Sequence, residues 1–363
     1  MSEGMRMYKF LLIEDSADDY GAFQDTVRRL NAEAGQELYD LEIADTYESG
    51  MEKVSGQLNG VIVDIKLDGD HTGNDIIHEI VENFRVPVAI FTGTPDIDEL
   101  NNVSPIQVYK KGEASHEDII RELCAVSDTG LFNVLGGTGI IERIMTQIFW
   151  NNLYPQIDLW KEKKAQGIET EKVLLRYAVS HIQELMDAEV PAYVTEEMYI
   201  SPPISEDIKT GTIFKHLKKN LFCIVLSPPC DLANHGGKFK TDQILICEID
   251  NHDAVNIDIA NKKTKKGDKK EEIQKAIKNN YTAYYHWLPQ NTLFEGGYIN
   301  FRKVKTYQIE KFAEEYGSPR VKVQEYFVKN ILNRFSAYYA RQGQPDFDFK
   351  SEAKSIFDKI KDC

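Results

Sequence analysis

Val61-Ile62-Val63-Asp64-Ile65-Lys66-Leu67-Asp68 decides the fold of the N-terminal third of this chain. The stretch opens on an apolar, β-branched run, which reads as a strand buried on both faces, and it breaks on a single aspartate. Strands buried on both faces belong to parallel sheets, and open parallel sheets carry their chemistry at the carboxyl ends of the strands. Asp64 stands at such an end.

Working outward, apolar runs alternate with helical patterns. Tyr8–Ile13 is a first strand, followed by a helix over Asp18–Ala32. Tyr39–Ala44 is a second strand and Thr46–Leu58 a second helix. Gly60–Ile65 is the third strand, Asn74–Asn83 a third helix, Val86–Phe91 a fourth strand, Ile106–Lys110 a fifth, and Ser115–Val126 a last helix. This alternation predicts an α/β unit, a five-stranded doubly wound parallel sheet covered by helices on both faces. Its carboxyl edge gathers Glu14, Asp15, Asp64, Thr92 and one of Lys110 or Lys111.

Three carboxylates at one edge repel one another unless a hard cation joins them, and magnesium prefers oxygen ligands. Glu14, Asp15 and Asp64 are therefore candidate magnesium ligands. A lysine at the next strand end can pair with the aspartate or with a phosphoryl oxygen on it, and the Thr92 hydroxyl can bond another such oxygen. These are the parts needed for phosphoryl transfer onto Asp64, with Thr92 and Lys111 or Lys110 assisting.

Ile13-Glu14-Asp15-Ser16, Asp64-Ile65-Lys66-Leu67, Phe91-Thr92-Gly93 and Val108-Tyr109-Lys110-Lys111-Gly112 stand in the order and at the strand ends found in response-regulator receiver domains, which residues 7–126 resemble. The resemblance implies a flavodoxin-like fold, magnesium on the acidic pair, and Asp64 as the acceptor of phosphate from a histidine kinase. Departures are present. The loop Asp68–Gly73 lacks the usual proline and is longer by about one residue, glycine follows Thr92, and no proline follows the lysines. The strand-end register favours Lys111.

Charge separates the same region from the rest. Residues 1–126 hold 26 Asp and Glu against 10 Lys and Arg, whereas the remainder holds 32 against 33. An acidic unit does not approach nucleic acid unaided, while the near-neutral remainder can where its lysines cluster. The 363-residue length suggests two or three domains, which are placed at 1–126, 127–190 and 191–363. Five widely spaced cysteines form no disulfide framework, and no secretory signal or apolar run long enough to span a bilayer is present. The expectation is a cytoplasmic protein without a membrane partner.

Gly136-Gly137-Thr138-Gly139 reads as a hinge before two amphipathic helices, Ile140–Lys164 and Thr170–Ala188, which suit a connector or a dimer-forming hairpin. Beyond Pro191, short strands at Tyr193–Thr195, Gly211–Phe214, Leu221–Leu226 and Gln243–Ile249 predict an α+β output domain built on a small β-barrel or bent sheet. The order Gly211–Phe214, Ile224–Pro228, Ile244–Cys247 is weakly similar to the strand pattern of MazF/PemK-type barrels, which implies a fold rather than an activity. Between the last two strands lies Ser227-Pro228-Pro229-Cys230-Asp231-Leu232-Ala233-Asn234-His235, where Cys230, Asp231 and His235, with His286 farther on, are candidates for an output site. A cysteine–histidine nucleophile, a zinc site and a plain Pro-Pro turn all remain open there. Lys262–Lys270 is a basic run that can hold a phosphate backbone or be an exposed loop, Tyr281–Pro289 is aromatic-rich, and Pro319–Arg341 reads as an amphipathic helix.

No helix-turn-helix pattern follows the first domain. The whole reads as a two-component response regulator with a histidine-kinase partner and an atypical output, in which a homodimer and nucleic-acid binding are open. The alternative is a phosphorylation-independent relative whose C-terminal domain is a nuclease-like enzyme or a binding module in stress or phage defence.

Overall fold

The structure is a computed structural model, and it describes residues 7–67, 72–93, 106–137, 139–187, 192–233, 239–262, 266–341 and 347–361. The chain divides into two compact units, residues 1–189 and 190–363.

In the first unit β1 (Tyr8–Ile13), α1 (Ala17–Ala34), β2 (Tyr39–Ala44), α2 (Tyr47–Lys53), β3 (Gly60–Val63), α3 (Gly73–Asn83), β4 (Val88–Thr92), β5 (Gln107–Lys110) and α4 (His116–Asp128) follow one another. The strands pair in parallel in the order β2-β1-β3-β4-β5, the flavodoxin-like doubly wound order. Successive strand residues face opposite sides, so two apolar layers form. Leu11, Ile13, Val61 and Val63 pack with Ile76, Ile77 and Ile80 of α3, while Phe10, Leu12 and Ile62 pack with α1 and α4 through Phe23, Ile119 and Ile120. Helix α2 is shorter than the sequence suggests, because the chain turns extended at Val54.

The helical segment that follows contains α5 (Leu131–Leu135), α6 (Ile140–Ile148), α7 (Ile157–Ala165) and α8 (Thr170–Asp187). The single helix expected over Ile140–Lys164 is broken. A π-turn at Phe149–Leu153 and a 3-10 turn at Tyr154–Gln156 interrupt it, and Pro155, which has no amide hydrogen to donate, sits in that break. Residue 138 of the glycine-rich hinge lies outside the described residues, and Gly139 is the N-cap of α6.

The second unit is built on a curled seven-stranded antiparallel sheet. Its strands are β6 (Tyr199–Ile200), β7 (Thr212–His216), β8 (Phe222–Val225), β9 (Gln243–Asp250), β10 (Tyr285–Leu288), β11 (Gly297–Gln308) and β12 (Tyr316–Val323), in the order β10-β11-β9-β8-β7-β12-β6. One face of the sheet encloses a single core that draws on every strand, from Tyr199 to Val323. Tyr199 of edge strand β6 donates to Pro289 O at 2.7 Å, just past the other edge strand, β10, so the two edges curl toward each other. Helix α12 (Glu325–Tyr339) closes this core with Val328 and Ile331. The opposite face carries Cys223, Val225, Ile244 and Ile246 and is covered by Phe312 of α11 (Ile309–Glu315). Helices α9 (His252–Asn261) and α10 (Lys266–Ile277) pack on Tyr298. A last helix, α13, spans Phe349–Lys361.

Two expectations for this unit are corrected. Tyr193–Thr195 is not a strand, because Glu197 caps a 3-10 turn by accepting from Val194 N at 2.8 Å, and the strand begins at Tyr199. The helix expected over Pro319–Arg341 starts only at Glu325. Residues 316–323 pair with β7 instead, burying Val321 and Val323 in alternation and tolerating Pro319 at a register shift.

Candidate functional site

The site grows from the carboxyl edge of the parallel sheet. Parallel pairing brings the ends of β1 and β3 level, with Ile13 opposite Val63, so Glu14 and Asp64 emerge side by side. Their backbones continue the ladder by one bond each, Glu14 N to Ala44 O at 2.9 Å and Asp64 N to Ile13 O at 3.0 Å. On the far side Thr92 stands opposite Lys110, and Lys111 N donates to Thr92 O at 2.9 Å.

That register separates the two lysines. Lys110 points outward to Glu113, with Nζ to Oε1 at 2.7 Å. Lys111 reaches over the sheet edge, and its Nζ lies 2.7 Å from Glu14 Oε2, 2.6 Å from Asp19 Oδ2 and 2.9 Å from Asp64 Oδ2. The same ammonium lies 5.7 Å from the Phe91 ring centre, and Phe91 in turn meets His116, which packs on Phe23.

Electrostatics follow burial. Glu14 is 1% exposed and Asp64 5%, so two carboxylates share a water-poor edge. Burial raises the Glu14 pKa, Asp64 adds to the rise, and the hydrogen bonds from Lys111 and from Ser16 N oppose it. Burial on its own would lower Lys111, but its hydrogen bonds to Asp19, Glu14 and Asp64 outweigh that and raise its pKa. Burial lowers His116. Thr92 is wholly buried, and its Oγ1 has no hydrogen-bond partner.

Glu14, Asp64, Thr92 and Lys111 are thus brought together, with Asp15 half-buried beside Glu14. Among the described residues no group of three or more His, Cys, Asp and Glu side chains is arranged around a metal position. The Glu14, Asp19 and Asp64 carboxylates converge on the Lys111 ammonium instead. Sequence reasoning missed Asp19, whose signal was its place in the acidic first turn of α1, capped by Ser16. It also missed the closeness of Gly73 to Asp64. The start of the Asp68–Gly73 loop, residues 68–71, lies outside the described residues.

The second unit does not assemble its candidates in the same way. Cys230 is exposed on the turn after β8, where its Sγ lies 3.7 Å from Asp231 Oδ1. The turn itself is well built: Asp231 N and Leu232 N both donate to Pro228 O, and Ser227 Oγ accepts from Leu245 N at 2.7 Å. His235 lies outside the described residues. His286 lies elsewhere, on β10, 4% exposed with Nδ1 unpartnered, its pKa pushed down to about 3 by burial and then by the Arg334 charge. No hydrogen bond joins it to Cys230 or Asp231 among the described residues. Of the basic run, residues 263–265 are not described, and Lys262 is paired with Asp258 at 2.7 Å. No helix among the described residues is long and apolar enough to cross a membrane.

No protein-family model matches the chain, and a search of curated proteins found no match. Solved structures do match its N-terminal third. A CheY-like response regulator receiver domain protein from Methanospirillum hungatei JF-1 is 16% identical over 34% of this chain and 95% of its own, with a TM-score of 0.29. The receiver domain of a sensor histidine kinase from Pseudomonas aeruginosa PAO1, which has a magnesium ion in its active-site cleft, is 15% identical over 34% of this chain and 98% of its own, with a TM-score of 0.28. A phosphorylated cyanobacterial phytochrome response regulator is 14% identical over 36% and 99%, with a TM-score of 0.27. In its N-terminal third, with the strand order β2-β1-β3-β4-β5, this chain is similar to response-regulator receiver domains.

Proposed function

We propose that the first unit is a phosphoryl-accepting switch of a two-component system and that it controls the second unit. The observation carrying this reading is the Lys111 ammonium at 2.9 Å from Asp64 Oδ2, at a strand end where Asp64 Oδ1 also accepts from Lys66 N at 3.2 Å. Asp64 is held by donors on both oxygens, which positions a carboxylate as a nucleophile. In the reaction, the P–N bond of a histidine kinase's phosphohistidine breaks, a P–O bond to Asp64 forms, and the imidazole leaves with a proton from solvent.

Magnesium suits the donor set. Glu14, Asp15 and Asp64 offer hard carboxylate oxygens, and because burial raises the Glu14 pKa and Asp64 adds to the rise, a cation bound there would favour the charged carboxylate. When bound there, the ion would offset the charge of the transferring phosphoryl group. Lys111 has the reach to donate to a phosphoryl oxygen on Asp64. The buried, unpartnered Thr92 Oγ1 is free to bond another, and its movement would shift the β4–β5 face.

Incubation with acetyl phosphate and magnesium tests the reading. The wild-type chain should be labelled and Asp64→Asn should not. Equal labelling of the two would refute the assignment.

A further inference from the structure

We propose that the helical segment after the parallel-sheet domain binds a second copy of this chain, with α8 packing antiparallel against its own counterpart across a two-fold axis. Among the described residues, 14 of the 31 exposed large hydrophobic side chains fall between Leu131 and Met186. The same stretch buries Ile148 and Ala178 and no other apolar side chain larger than glycine. A helical layer with so little core of its own leaves an apolar face to be covered.

The pattern on α8 selects the partner. Leu175, Val179, Ile182 and Met186 recur at intervals of 4, 3 and 4, the a/d seam of two packed helices, and Leu175, Val179 and Met186 are 67%, 46% and 60% exposed. The seam is symmetric about the point between Ser180 and His181. A two-fold axis there sets Leu175 of one copy against Met186 of the other, and Val179 against Ile182, which is the self-complementarity an isologous interface requires. Antiparallel packing also opposes the helix dipoles and places a first half with Lys172 and Arg176 against one Glu171 beside a second half that carries Glu184 and no Lys or Arg.

Beyond the seam, the mutually packed rings of Phe149, Trp150 and Tyr154 are 43%, 59% and 49% exposed. At roughly half of the ~150–250 Å² an aromatic side chain presents, they add on the order of 300 Å². A standard interface takes ~800 Å² per partner, and the exposed apolar side chains of the seam and of this ring cluster are what the segment offers toward it.

Sedimentation of the full-length chain at micromolar concentration tests this. The wild type should run as two chains, and Leu175→Glu, which sets a carboxylate against Met186 of the second copy, should run as one. Adding Met186→Lys to Leu175→Glu should restore the two-chain species, because each glutamate then faces a lysine. Both positions are exposed, so the variants should keep the wild-type helix content by circular dichroism. A monomeric wild type, a dimeric Leu175→Glu variant, or a doubly substituted chain that stays monomeric would each overturn the proposal.

Discussion

Gly73, at the start of α3, lies directly on the backbone of Asp64: a methyl group at residue 73 would sit 2.0 Å from the Asp64 carbonyl oxygen and 2.6 Å from Ile65 Cα. Gly73 N donates to Ile65 O at 3.0 Å, so the helix start is bonded to the segment that carries the proposed acceptor. The need here is for close approach, because there is no room for a side chain.

Gly73→Ala should therefore push α3 away from Asp64. Overpacking of this kind typically costs about 1–3 kcal/mol. Thermal unfolding should show a lower midpoint, and labelling by acetyl phosphate should slow, because Asp64 moves with its backbone. Unchanged stability would mean that the helix start yields without cost.

Lys111→Met should leave Glu14, Asp19 and Asp64 facing one another without their shared cation. Removing one partner of a buried ion pair typically costs about 3–5 kcal/mol. Burial already raises the Glu14 pKa, and losing the Lys111 hydrogen bond should raise it further. For an acid raised on folding, stability falls as pH rises through its unfolded value toward its folded one. The deficit of the variant should therefore shrink on acidification, and millimolar magnesium should shrink it at neutral pH. Urea midpoints across pH decide the matter, and a deficit independent of both pH and magnesium would sink this account.

Acid should weaken the second unit through His286. Its pKa is pushed from an ordinary 6.5 to about 3, so the folded state binds fewer protons than the unfolded state between those values. Stability is full above pH 6.5 and is lost as pH falls toward 3. His286→Leu, which removes the unpartnered Nδ1, should be close to neutral at pH 7 and should flatten the acid slope. Denaturant midpoints at pH 7 and pH 4.5 check this, and an unchanged slope would assign the acid sensitivity to other groups.

The parallel sheet and the residues at most of its strand ends were legible in the amino-acid order. Apolar runs end on Glu14, Asp64 and Thr92, and strand–helix alternation leaves little freedom in how such runs pair. The strand-end register favoured Lys111 over Lys110, and the folded chain gives the two lysines their different partners: successive residues near a strand end point to opposite sides, and with Thr92 paired to Lys110 it is Lys111 that reaches Glu14 and Asp64. Asp19 joins them only because the turn of α1 brings it over the same edge.

In the second unit local pattern decided less. Residues 316–323 hold Gly317, Pro319, Val321 and Val323, poor helix formers that adjoin the apolar-periodic run of α12, and they become a strand through pairing with β7, as in Tyr316 opposite His216. That partner is distant in sequence, and β propensity depends on the neighbours a strand meets. The loaded stretch around Cys230 likewise shows residue types without showing what faces them. Backbone pairing sets which side chains share a space, and for an antiparallel sheet closed by distant strands only the folded chain contains that information.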